Sequence, residues 1–157
     1  RLARDRGIVV TSDIDRLNDL TEELVASVTI PIFAEHVPPA LTGEHDPERA
    51  LRKLRRGHDG LLCVTLGANG AMALDGDRPL YLPAFQVDAA DTTGAGDVFR
   101  GAFICALLEG RPPEEVLRFA NAAAAVSCTR VGAINGVPST EETLRIMTDT
   151  HLPPSLP

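Results

Sequence analysis

The fourteen residues from Asp91 to Ile104, DTTGAGDVFRGAFI, leave the backbone few choices. Gly94, Ala95 and Gly96 stand between two acids, Asp91 and Asp97. An apolar segment (Val98, Phe99, Ala102, Phe103, Ile104) follows at helical spacing. That pattern predicts a tight turn opening directly into a buried helix. The first N–H groups of a helix have no carbonyl partner inside it, and the macrodipole makes that end positive, so the turn aims donors at an anion. An acid beside an anion hole is an odd arrangement for binding alone. It suits a reaction centre, where the acid removes a proton from whatever attacks the anion.

The rest of the chain alternates β-rich apolar runs with helical patterns, which indicates an α/β layered fold. Residues 8–12 (IVVTS) read as a buried parallel strand ending at Asp13, Asp15 and Arg16, on the sheet edge where open α/β folds bind ligands. Leu17, Leu20, Leu24 and Val25 recur at helical spacing. Residues 28–33 read as a second strand, which Pro31 places at an edge or a bulge. A short helical piece follows around Glu35 to Leu41, closed by Gly43. Asp46 and Pro47 then open a helix whose basic last turn, Arg52, Lys53, Arg55 and Arg56, reads as a solvated end. Residues 61–66 form the strongest strand pattern. They lead through Gly67-Ala68-Asn69-Gly70 into a hairpin, AMALD and RPLYL, turned by Gly76-Asp77. After the Asp91–Ile104 stretch, Pro112-Pro113 starts a helix of small residues, ANAAAAVSC. The loop VGAINGVPS precedes a last helix with Ser139 and Glu142 at capping-box spacing. The proline-rich tail, residues 151–157, reads as disordered.

With 157 residues and 44% hydrophobic content, the chain suits one domain with a real core. A net charge of −7 argues against a general nucleic-acid binder but leaves a small phosphorylated ligand open. Cys63, Cys105 and Cys128 are odd in number and set in apolar segments, as expected of buried free thiols in a reducing cytoplasm. No apolar run approaches the roughly 20 residues that span a membrane. The opening RLARDRG looks like the tail of a helix, and the expectation is that residues 1–150 form the C-terminal part of a longer protein.

A P-loop needs a lysine followed by Ser or Thr after its second glycine, and a dinucleotide fingerprint needs a third small residue where Val98 and Phe99 stand. DTTGAGDVFRGAF fits neither; it resembles the C-terminal signature of the ribokinase/PfkB family of carbohydrate kinases. Six matching positions at about 5–7% each recur by chance about once in 10⁷–10⁸ starts, so the signature is specific. The similarity extends to about residue 145 through TLGANG, RFANAAAA and CTRVGA.

The resemblance implies a three-layer α/β/α fold with a mostly parallel sheet and an ATP-dependent transfer of phosphoryl to a sugar or sugar-acid hydroxyl. By that resemblance Asp97 is the base and the N–H groups of Gly94, Ala95 and Gly96 are the anion hole. Thr65, Gly67 and Gly70 match the segment that contacts ATP phosphates and ribose. Asn121 and Ala124 match the helix lining the adenine side, a surface-facing helical Asn being the plainer alternative. Asp91, Thr93 and the Val131-Gly132 region resemble the loop that binds K⁺ in some members. ATP, Mg²⁺, a sugar and a homodimeric full-length enzyme in the cytoplasm complete the expectation, with no nucleic acid and no membrane partner. Two features depart from the family pattern. Its Asn-x-x-Glu motif, tied to Mg²⁺, falls on Ala34 and Val37, leaving Glu35 as a partial substitute. Arg100 occupies a position that is often Asn or His, where it supports phosphate charge or pairs with an acid. A nucleoside or vitamin kinase, and a non-catalytic nucleotide-binding protein, remain alternative readings.

Overall fold

The computed structural model describes residues 2–149, without the side chain of Asp149. The expected disordered tail therefore lies outside the described residues. The chain divides into two compact units, Arg1–Pro83 and Ala84–Pro157.

The first unit is built on a five-stranded sheet in the order β1 (Thr11–Ile14), β2 (Ile30–Ala34), β3 (Leu62–Thr65), β4 (Ala71–Asp75) and β5 (Arg78–Leu82). The first three strands run parallel, and β3, β4 and β5 are successively antiparallel. Helix α1 (Thr21–Ser27) connects β1 to β2, and α2 (Val37–Thr42) with α3 (Pro47–Arg55) connect β2 to β3. Ile14, Phe33, Val37, Leu51, Leu62 and Leu74 form the heart of the core. These are the inward apolar positions of strand and helix patterns, so burial follows the periodicity that predicts it.

Three expectations for this unit need correction. The first strand begins at Thr11, three residues late, and Ile8 and Val9 are 55% and 56% exposed. Pro31 lies in an interior strand rather than at an edge or bulge. It is the second residue of β2, opposite Ser12 of β1, and the β2–β3 ladder starts only at Ile32 with Cys63. The missing N–H thus falls near the strand start, where proline is tolerated. Arg55 is not part of a solvated helix end. Its guanidinium donates to the carbonyls of His58 (3.1 Å), Gly60 (2.7 Å) and Leu74 (2.6 Å), tying α3 to the loop and to β4. Lys53 likewise donates to the Thr42 carbonyl.

In the second unit, α4 (Ala95–Leu108) packs against α5 (Pro113–Cys128), and α5 packs against α7 (Thr140–Asp149). A four-residue helix, α6 (Ala133–Gly136), lies inside what the sequence presents as a loop. Phe99 and Phe103 face inward from α4 with ring centroids 6.1 Å apart. The alanines of α5 are largely buried, which is how two helices approach closely. The capping box forms in full: Ser139 N–H donates to Glu142 (2.8 Å), and Glu142 N–H donates to Ser139 Oγ (3.2 Å). The cysteines are free, but only Cys63 is buried; Cys128 is half-buried, and Cys105 is exposed on α4, contrary to expectation.

Candidate active site

One carboxylate ties the start of the glycine-rich turn to the segment after α5. Asp91 Oδ1 accepts the N–H of Thr93 and Oδ2 accepts the N–H of Gly132, each at 2.9 Å. Hydrogen bonds from Thr93, then that from Gly132, hold the Asp91 carboxyl below the usual aspartate range. The loop before α4 and the loop after α5 are thereby joined, with Ala90 N–H also donating to Cys128 O at 2.8 Å.

Gly94 is the N-cap of α4 at φ 79°, and a Cβ there would stand 2.7 Å from the Ala133 Cβ. The position therefore excludes side chains twice, by backbone conformation and by the close approach of the 132–136 segment. Val98 N–H donates to Gly94 O at 2.9 Å, the first bond of the helix, while Ala95 N–H turns back to Thr92 O at 3.2 Å. Of the expected donors, Ala95 N–H is thus engaged within the turn, while those of Gly94 and Gly96 lie, with that of Asp97, at the helix end where no intrahelical carbonyl is available.

Asp97 sits in the first turn of α4 with its side chain 83% exposed. Arg100, only 16% exposed, reaches back along the helix to Asp97 Oδ1 at 3.4 Å. Gly94 and Asp97 lie in the wall of a mostly apolar groove of about 640 Å³ that also takes in Gly101, Cys105, Phe119 and Val137.

In the first unit, Thr65 ends β3, and its hydroxyl donates to Phe33 O at 3.3 Å. The turn that follows is closed by Leu66 N–H to Gly70 O at 2.7 Å and braced by Tyr81 Oη to Asn69 O at 2.8 Å. Gly67 is exposed and Gly70 buried. Parallel pairing puts the carboxyl ends of β1, β2 and β3 side by side. Asp15, Glu35 and the Gly67–Gly70 turn consequently follow one edge of the sheet.

The pfkB family carbohydrate kinase model matches residues 2–140. The chain belongs to that family. It is 34% identical to a ribokinase of Haemophilus influenzae over 152 residues, covering 94% of this chain and 50% of the relative. The ribokinase structure from Thermotoga maritima superposes with a TM-score of 0.81 at 34% identity, over 94% of this chain and 52% of the other. Arabidopsis thaliana ribokinase, solved with ribose and ATP, gives a TM-score of 0.84 at 30% identity, over 93% of this chain and 49% of the other. The fold is thus the ribokinase-like α/β fold, and the chain spans about half the length of the relatives it matches.

Within this pfkB family chain, the second unit holds Asp91, Thr93, Gly94, Ala95, Gly96 and Asp97 in one turn, with Gly132 hydrogen-bonded to Asp91. Asn121 is 5% exposed, which removes the reading of a surface-facing helical Asn; Ala124, three residues on, is half-buried. Glu35 is exposed. Among the described residues no three His, Cys, Asp or Glu side chains converge on a potential metal site. Sequence reasoning missed Ala133, whose contact with Gly94 shapes the turn. Nothing local marks that alanine, because its partner lies 39 residues earlier.

Proposed function

We propose that this chain carries the nucleotide-binding and proton-abstracting part of an ATP-dependent kinase acting on a sugar or sugar-acid hydroxyl. The observation that carries the reading is the exposed Asp97 carboxylate in the first turn of α4, beside the N–H groups of Gly94 and Gly96, on a turn pinned by Asp91. Phosphoryl transfer asks for positioning and for neutralisation of charge on the equatorial oxygens. The two N–H donors and the positive end of α4 supply that at the γ-phosphoryl group. Asp97 takes the proton as the acceptor oxygen bonds to phosphorus and the bond to the β-phosphate oxygen breaks, releasing ADP.

Family membership supports assigning Thr65, Gly67 and Gly70 to the phosphates and ribose, and Asn121 and Ala124 to the adenine side. Buried Asn121 acts there through the shape of α5. The described residues form no metal cage, so Mg²⁺ belongs in this reading to the nucleotide it accompanies, and no step is assigned to Glu35. Both Asp91 oxygens already accept N–H bonds, so the carboxylate shapes the proposed K⁺ loop; comparing rates in K⁺ and Na⁺ tests that role for Asp91 and Thr93.

Asp97→Asn in the full-length enzyme is expected to lower turnover by about 10²–10⁴-fold, with ATP affinity and melting temperature retained. The acceptor comes from screening ATP consumption against ketoses, aldoses, sugar acids and nucleosides. Near-normal turnover of the variant on the acceptor so found would sink the assignment.

A further inference from the structure

Arg100 is the cation built into the turn. Side chains on a helix lean toward its N-terminus, so a residue at position 100 covers positions 96 and 97. At 96 there is a glycine, and the guanidinium occupies the space it leaves. A Cβ on Gly96 would lie 3.2 Å from Arg100 Nη1 and 3.6 Å from both Cζ and Nη2. The glycine required by an anion hole is therefore also the glycine that admits a cation to it. Nη1 stands 3.4 Å from Asp97 Oδ1.

A cation in the opening turns of a helix opposes the macrodipole. An ion pair with so exposed a carboxylate contributes little, because solvent screens it. Arg100 is nonetheless mostly buried, with 16% of its side chain exposed against 83% for Asp97. A largely sequestered guanidinium packed against Gly96, beside the N–H groups of the helix end, is placed to meet a tetrahedral oxyanion.

Resting on the kinase reading above, we propose that Arg100 exchanges partners during the reaction. Before nucleotide binds, it pairs with Asp97; with ATP in place, it turns to an oxygen of the γ-phosphoryl group. The exchange stabilises the charge that spreads over the phosphoryl oxygens. It also frees the Asp97 carboxylate to receive the acceptor proton. No redox partner is needed: the acceptor O–P bond forms as the bridging P–O bond to ADP breaks, and the proton passes from the hydroxyl to Asp97.

The test uses the full-length enzyme with Arg100→Ala and Arg100→Lys, whose melting temperatures report folding. Two readouts are taken: steady-state kinetics, and calorimetric binding of MgADP with and without fluoroaluminate as a mimic of the transferring phosphoryl. Arg100→Ala is expected to lower kcat by about 10²–10³-fold, the scale for loss of one oxyanion donor. The KM for acceptor should change by less than about threefold, as for a group acting in the transition state. MgADP should bind the alanine variant normally while the added affinity from fluoroaluminate disappears, and Arg100→Lys should restore part of both. A folded variant, Ala or Lys, that keeps the wild-type kcat and fluoroaluminate enhancement overturns the proposal and leaves the kinase reading intact. If Ala fails to fold, Lys decides alone: reduced fluoroaluminate enhancement with normal MgADP binding supports the proposal, and wild-type enhancement overturns it. A wild-type enzyme with no turnover and no fluoroaluminate enhancement overturns both.

Discussion

Gly94 shows how one residue can be fixed by two neighbours that are far apart in sequence. Its left-handed backbone is legible from the GAG pattern, because only glycine adopts such a φ without strain. The overlap with Ala133 is not legible, since it arises where the 132–136 segment crosses the turn. Gly94→Ala is accordingly expected to cost about 2 kcal/mol or more, above the 1–2 kcal/mol of left-handed strain alone. Chemical denaturation of variant and parent checks the figure. Ala133→Gly should recover part of the loss in the double variant, because it removes the colliding methyl group. His58 and Arg55 make the same point elsewhere. Gly60 N–H donates to His58 Nδ1 at 3.1 Å, so Nε2 carries the proton and donates to Val28 O at 2.9 Å. A histidine and an arginine amid a basic run look like surface residues; tertiary carbonyls make them internal braces.

At the scale of elements, the helix ends were the most readable parts. Asp46 accepts Arg49 N–H at 2.8 Å, and the Ser139–Glu142 box closes α7, both as local rules require. What the local pattern omits is Arg130, which pairs with Glu142 and links the segment after α5 to α7. That ion pair first, and then the Ser139 N–H, lower the Glu142 pKa from 4.5 to about 2. Above pH 4.5 the group is ionised whether folded or unfolded, and its contribution is complete. Between about 4.5 and about 2 the unfolded chain binds the proton first, so acid removes the contribution as pH falls through that window. Asp91, also shifted down, acts in the same direction. Glu142→Gln is expected to flatten, though not abolish, the fall in melting temperature across that range. An unchanged acid slope would show that the pair does not stabilise α7.

For the whole molecule, the sheet order places β1 at one margin, paired only with β2 among the described residues. Exposed Ile8, Val9, Leu17 and Leu20 lie in the segments on either side of it. An open strand beside exposed apolar side chains is a site for edge-to-edge association. The isolated 157-residue chain is expected to self-associate with rising concentration, read as an increasing weight-average mass in sedimentation equilibrium. Leu17→Lys with Leu20→Lys should reduce it. A constant monomer mass at all concentrations would show that this margin is not adhesive.

Periodicity, turn chemistry and one specific signature determine the α/β class, nearly every element and the Asp91–Asp97 turn, because each is a property of residues within a few positions of one another. Strand boundaries, the interior place of Pro31, the bracing by Arg55 and the return of Ala95 N–H to Thr92 O belong to the tertiary structure. Each depends on a carbonyl, a neighbouring strand or a turn geometry that local patterns do not specify. The same holds for Arg100. Its position in the sequence allows two partners, and only the folded turn places its guanidinium against Gly96 and within reach of Asp97.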